Sequence, residues 1–496
     1  MKKLIVTILL IVGLLVRLYK INSPIADWHS WRQADTAAVA RNFIASGYNA
    51  LYPKFDDLSS LPSGKENPNG YRFVEFPIFN FFHAGFYQGL DSLGILGKLR
   101  LSFEAVGRLT TVISSLAAAA FLYLIVKDFL GFGAAVLAMF FYLFLPFNIY
   151  YSRTVLPEQL MIAFALISMW IFLKCKMQKS KIKMTIQNLK LFLSILFASL
   201  AILVKPYALF ILFPTWLTVF GGEWLKAEDK KTRKRIFLSF IFYLLNSIFL
   251  FLCWRLWMSR FPEGIPASGW LFNFSNIRLR PAWWRWLFSE RLGKLILGDW
   301  GLILLAFGVA GRVKSFKKEA VFYGWLLGIF VYFVVFAGGN ITHDYYQVLV
   351  IPVLSVFLAK GVIFLLRTSD KYFYFPIRYL LLASSFVFTF AFSWYQIKEY
   401  YKINHPEIIE AGKFIDENTA SEAKVIAPYN GDTAFLYQTN RQGWPLKNHI
   451  LYDLLQMGAN YYVSVDLTNI DEEVKGKCDV MRKEVNWIVY DLKTCR

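Results

Sequence analysis

Asp27, Trp28, His29, Trp31, Arg32, Gln33 and Asp35 crowd two carboxylates, an imidazole, a guanidinium, an amide and two indoles into one short stretch. Carboxylates beside cations suit a reaction in which a hydroxyl or amine loses its proton while a phosphate departs. The carboxylate orients and deprotonates the nucleophile, and Arg or Lys stabilises the charge growing on the leaving group. The same residue types recur at Glu75, Tyr151-Ser152-Arg153, Pro157-Glu158, Lys205 and the run His343-Asp344-Tyr345-Tyr346. No glycine-rich phosphate loop accompanies them, which argues against a soluble nucleotide donor and for one carried on a lipid.

The elements that must position these groups are membrane helices. The chain has 496 residues, is 56% hydrophobic and carries only 18% charged residues, outside the range of soluble globular proteins. Apolar runs of near-membrane length fall at 4–20, 104–126, 130–150, 158–173, 191–204, 207–221, 236–257, 299–311, 320–337, 346–366 and 377–395. This predicts a polytopic α-helical membrane protein of about eleven spans. The run 191–220 is divided at Lys205-Pro206, because Pro removes a helix donor and disfavours helix before it. The start has the basic and apolar regions of a signal peptide but no small-residue cleavage site, so it reads as an uncleaved first span.

Charge sets the orientation. The connections 127–128, 174–190, 222–235, 312–319 and 367–378 are rich in Lys and Arg, whereas 151–157, 205–206 and 338–345 hold only Arg153 and Lys205. The positive-inside rule puts the first set and the N-terminus in the cytoplasm, and the 27–35 cluster outside, in what reads as a plasma (inner) membrane protein. The net charge of +20 is therefore a membrane signature rather than a nucleic-acid footprint. The loop 258–298 is basic yet falls outside; its Trp283, Trp284 and Trp286 suit an interfacial segment that anchors to headgroups or meets an anionic ligand.

Two modules are expected, 1–395 in the membrane and 396–496 outside. Within the first outer loop (22–103), residues 35–46 pair Val39 with Phe43 and Ala40 with Ile44 at helical spacing and stop at Gly47, as an amphipathic helix on the membrane surface would. The stretch 54–70 reads as a mobile loop. After 396, strands at 424–428 and 461–466, a helix at 449–458 and a closing strand pair at 479–493 make a small extracytoplasmic α/β domain. Cys478 and Cys495 are placed to pair there if it is exported; no zinc spacing exists.

Each candidate has an ordinary structural role beside the chemical one. Asp35 precedes an Ala-rich helix and would serve as its N-cap; Asp27 has no helix to cap, so it leads as the base, with Asp35 second. Arg32 suits a salt bridge or a phosphate, and Gln33 stands beside it. Glu158 suits the start of a helix dipole or a contact to the reacting groups. Lys205 would snorkel or bind phosphate; Tyr345 and Tyr346 fit an interfacial aromatic belt. His29 and His343 read as hydrogen-bonded rim residues, and no metal ligand set is assigned.

The layout resembles the GT-C glycosyltransferases, nearest the protein O-mannosyltransferase and aminoarabinose-transferase branch. The resemblance runs through 1–366: a long first outer loop with an acidic motif, EFP at 75–77, GRL at 107–109, YSR with PE at 151–158, KP at 205–206 and HDYYQVLVIP at 343–352. It implies transfer of a hexosyl or pentosyl unit, with inversion, from a polyprenyl-phosphate donor to a lipid, glycan or protein acceptor at the outer face. Lys205, Arg153 and His343 would face the phosphate, Glu158 would hold the reacting groups, and Glu75 would bind substrate. No cofactor is required, although some members use a divalent ion. The chain departs from the branch by holding Arg32-Gln33 where its acidic pair stands; an alternative alignment, to the oligosaccharyltransferase pattern, makes Asp27 the equivalent. The competing class is a transporter or flippase for a lipid-linked glycan, which calls for midplane charges and repeated halves; neither is evident in the sequence.

Overall fold

The structure is a computed structural model describing residues 1–177, 184–367, 375–447 and 449–496. Among these residues eight helices are long and apolar enough to cross a membrane, or nine if the pair Pro281–Ile296 and Gly301–Ala310, bent by 113°, counts as one span. The other expected spans are helical but short. Helix α1 (Lys2–Arg17) has 16 residues, about 24 Å of rise. The segment 130–150 divides at Leu145-Pro146 into Phe132–Phe144 and Pro146–Tyr151. Lys205-Pro206 separates Thr185–Val204 from Pro206–Lys226, as the missing donor requires. Parts of the basic connections 174–190 and 367–378 lie outside the described residues.

A charge does lie inside a span, Lys360 of Ile351–Arg367. It is fully enclosed and pairs with Glu319 at 2.9 Å. Glu319 stands in the first turn of Phe316–Val335 and accepts the amides of Val313 and Lys314, so the pair closes one end of the bundle rather than its middle.

The first outer loop differs most from expectation. Helix α2 (Ser30–Ser46) starts five residues before Asp35, from a left-handed His29 with φ 55°, so Asp35 caps nothing. Ala34, Ala37, Ala38 and Ala40 are buried, and these small side chains let α2 pack between α3 (Ile78–Ser92) and a helix of the C-terminal region, Thr433–Gln438. The helix is thus enclosed by protein, not laid on lipid. The 54–70 stretch is likewise docked at its start, with Phe55, Asp56, Asp57, Leu58 and Ser59 all buried.

The C-terminal region forms a five-stranded sheet in the order β2-β1-β3-β5-β4: β1 Lys424–Ile426, β2 Gly443–Trp444, β3 Ala459–Ser464, β4 Asp479–Lys483 and β5 Ile488–Asp491. β1 runs parallel to β2 and β3, and β5 antiparallel to β3 and β4. Strands β1, β3, β4 and β5 lie where the alternation placed them; the two-residue β2 carries too short a pattern to read. Its outer edge does not face solvent. The Leu58 amide donates to the Gly443 carbonyl at 2.8 Å and the Gly443 amide to the Asp56 carbonyl at 2.9 Å, so the first loop caps the sheet. A side chain at Gly443 would strike the Val425 carbonyl. Cys478 and Cys495 are disulfide-bonded.

Candidate functional site

A cavity of about 780 Å³ opens where α2, the first loop, the Lys205–Tyr207 turn, the 265–272 segment, Tyr345–Tyr346 and the 430–433 loop meet. Helix α2 aims Trp31, Arg32 and Asp35 into it, a set spaced i, i+1 and i+4 on one helix face. Arg72 of the first loop binds Asp35 Oδ2 at 2.6 Å, and Arg32 binds Glu75 Oε1 at 2.6 Å. Lys205 reaches the cavity from the extended residue between two spans and pairs with Glu158 behind it. Only 6% of Lys205 is exposed, so it does not snorkel. Its ammonium lies 5.6 Å from the Tyr345 ring centre and 6.0 Å from that of Tyr346.

The charges in this wall stabilise one another. Burial disfavours the charged form of both Arg32 and Glu75. For Arg32 the neighbouring Glu75, Tyr345, Glu158 and Asp35 outweigh it and raise the guanidinium above its usual value. For Glu75, Arg32, Lys205 and Arg72 outweigh it and hold the carboxyl below the ordinary range. Two further carboxylates line the cavity without a cation in ion-pair reach among the described residues, Asp57 and Asp432. Burial pushes Asp57 up to about 7 against the stabilising contact with Ser59, and Asp432 up to about 6 against the Ala434 amide.

Arg32, Asp35, Glu75, Lys205, Tyr345 and Tyr346 are therefore gathered around one space, with Glu158 in contact through Lys205. Five other candidates are not. Asp27 is enclosed behind α2, held by Gln33 Nε2 at 2.9 Å and by Arg153 at 3.5 Å. Gln33 faces away from the cavity because it lies on the opposite side of α2, where its amide also accepts the Val155 N–H at 3.1 Å. Arg153, 1% exposed, donates to the Lys20 carbonyl instead of facing a phosphate. His29 bonds Asp344 at 2.7 Å. His343 stacks on Tyr345 with ring centres 5.5 Å apart and sits edge-on to His29 and Trp270. Burial, assisted by His29, lowers its pKa to about 4, which leaves it neutral and unsuited to meeting a phosphate as a cation.

Residues that reasoning from sequence missed complete the wall: Arg72, Asp57, Asp432, Thr433, Trp270 and Arg255. Arg255, in the last turn of Lys230–Met258, lines the mouth, is exposed and has no carboxylate partner among the described residues. Asp344 proves to be a buried hub instead of a site residue. It accepts from His29, Trp28, Tyr151 and Tyr400, lies 3.5 Å from Arg291, and so ties α2 to the start of the C-terminal region. The divalent ion admitted by the resemblance finds no ready ligand set: no group of three or more His, Cys, Asp or Glu among the described residues is arranged to hold one.

Residues 93–258 match the family model described as dolichyl-phosphate-mannose-protein mannosyltransferase. No curated protein sequence matches the chain. The fold is similar to that of ArnT from Cupriavidus metallidurans, solved with undecaprenyl phosphate bound, with a TM-score of 0.63, 14% identity and 98% of both chains covered. It is also similar to the Archaeoglobus fulgidus oligosaccharyltransferase, solved with zinc and sulfate, with a TM-score of 0.59, 12% identity, and 92% of this chain and 67% of that one covered. The same archaeal enzyme in complex with an inhibitory peptide and a dolichol phosphate aligns with a TM-score of 0.55 at 13% identity. The chain thus has the GT-C fold, and the resemblance read from its motifs holds.

Proposed function

We propose that this protein is a membrane glycosyltransferase that moves a sugar from a polyprenyl-phosphate carrier to an acceptor at the outer face of the membrane. The observation that carries this reading is the Asp35 carboxylate. It faces a cavity large enough for a glycosyl phosphate, fixed by Arg72, with Lys205 and Arg255 on the same wall. The family model matched by residues 93–258 and the carriers bound in structures of the same fold support a lipid-borne donor. Outward orientation is supported by the positive-inside pattern and by the disulfide of the C-terminal region.

In the proposed reaction Asp35 accepts the proton of the acceptor hydroxyl or amine as that atom attacks the anomeric carbon. The bond between that carbon and the phosphate oxygen breaks, and its electron pair leaves with the carrier phosphate. Lys205, held by Glu158, and Arg255 at the mouth balance the charge on the departing phosphate. Direct displacement inverts the anomeric centre. The flippase alternative gains nothing from the Lys360–Glu319 pair, which is closed on itself at a bundle end.

The test is transfer of radiolabel by purified protein in lipid, given a panel of undecaprenyl-phosphate-linked hexoses and pentoses with membrane extract from its source. Label should move to acceptor in the wild type and not in Asp35→Asn. Carrier binding with no donor consumed would overturn the proposal.

A further inference from the structure

The C-terminal region does more than border the cavity: one of its side chains touches the carboxylate at its centre. Thr433 Oγ1 lies 2.7 Å from Asp35 Oδ1, while Arg72 holds the other oxygen at 2.6 Å. The hydroxyl has one proton, and its other acceptor, the Trp31 carbonyl, is farther away at 3.3 Å. The proton therefore goes to Asp35. The carboxylate is gripped on both oxygens, by a first-loop cation and by a hydroxyl from a distant part of the chain.

Thr433 is itself held rigidly. It opens the helix Thr433–Gln438, whose first turn is capped by Asp432 through the Ala434 amide at 2.7 Å. Ala434, Phe435 and Leu436 are fully buried. The other side of this helix is fastened to the membrane module. Tyr437 donates to Glu104 at 2.9 Å, Gln438 donates to the Ile25 carbonyl at 2.9 Å, and the Arg41 guanidinium lies 4.3 Å from the Tyr437 ring centre. A hydroxyl fixed in this way can hold an acceptor group in a single rotamer without reorganisation.

We propose that Thr433 is a positioning residue for transfer: it aims Asp35 at the acceptor, so that the active site is complete only with the C-terminal region docked. This rests on the reading of Asp35 as the base. The geometry separates the hydroxyl from the methyl group. If the hydroxyl matters, Thr433→Val removes the donor at nearly constant shape and Thr433→Ser keeps it. If only packing matters, the order reverses, because Val preserves the volume and Ser does not.

The experiment is steady-state transfer from the undecaprenyl-phosphate panel by full-length Thr433→Val, Thr433→Ser, Asp35→Asn and the double variant Asp35→Asn/Thr433→Val, with thermal unfolding of each. Thr433→Val should lower kcat roughly 10- to 100-fold with KM for the donor nearly unchanged. Thr433→Ser should restore most of the rate, and the double variant should be no worse than Asp35→Asn alone. If Asp35→Asn is inactive but Thr433→Val turns over like the wild type, or falls no further than Thr433→Ser, the positioning role is overturned. If Asp35→Asn keeps its rate, the assignment of the base fails instead.

Discussion

Asp27 and Asp35 stand at the two ends of one polar stretch, both nearly buried and both beside an arginine, yet their surroundings oblige them to do different things. Asp27 is enclosed by Gln33, Arg153 and the loop that Arg108 clamps through the carbonyls of Ile21 and Pro24; nothing in its contacts leads to open space. Asp35 is held as tightly, by Arg72 and Thr433, but one side of it borders the cavity. A buried, paired carboxylate is not in itself a sign of chemistry, since a closed pair stabilises or orders structure. What distinguishes the two is access.

The most forceful way to break this comparison is to neutralise each carboxylate. Asp35→Asn should cost about 10²- to 10⁴-fold in transfer by the folded fraction, the range for loss of a general base, and should also destabilise, because the buried Arg72 loses its counter-charge. Asp27→Asn should leave turnover in the folded fraction near normal. It would destabilise by about 3 kcal/mol, because Arg153 would keep its burial and lose its counter-charge. An Asp27 variant that unfolds at the wild-type temperature but transfers no sugar would exchange the two assignments.

A smaller effect sharpens the cationic side of the same wall. Lys205 is closed into a pair with Glu158, whereas Arg255 is exposed and has no carboxylate partner among the described residues. Lys205→Met should reduce kcat, since it removes charge beside the departing phosphate and strands Glu158. Arg255→Gln should raise KM for the donor about 10-fold with kcat largely kept, as expected for one charged hydrogen bond at the entrance. Donor titrations on both variants check this; equal losses of kcat would mean that both cations act at the reacting centre.

How much of this was legible before the fold follows from the range of each interaction. Hydropathy located the membrane helices and Pro206 divided one run correctly, because both signals are local. Span lengths were less legible: α1 and Gly301–Ala310 are shorter than their apolar runs suggested. Arg32, Glu75, Lys205, Tyr345 and Tyr346, rim residues by their place between spans, do share the cavity. The choice between Asp27 and Asp35 turned on where α2 begins, which a left-handed His29 sets and no capping pattern announces. Arg72 and Thr433 carried no local signal at all. Thr433 meets Asp35 from 398 positions away, through docking of a short helix on the alanines of α2, a helix expected on the membrane surface.

The finest contrast is with Asp57, a third carboxylate of the same wall, 1% exposed, which has the Ser59 amide at 2.8 Å and only the more distant charge of Arg72, with no cation in ion-pair reach among the described residues. Burial raises its pKa to about 7, against 3.8 in its ordinary state. The sign follows directly. Between those two values the folded protein holds a proton that the unfolded chain has released, so the contribution of Asp57 to stability is fully present below about pH 4 and is lost as the pH rises toward 7. At about 1.4 kcal/mol for each tenfold change in acidity, the loss is on the order of a few kcal/mol, with solvent in the open cavity reducing it. Asp57→Asn keeps the oxygen that accepts the Ser59 amide and cannot ionise. Its unfolding temperature should match the wild type below about pH 4 and exceed it at pH 8, while transfer should fall far less than in Asp35→Asn. If the two proteins unfold in parallel across that range, Asp57 is charged and compensated in the native state, and the cavity wall is more evenly solvated than its packing implies.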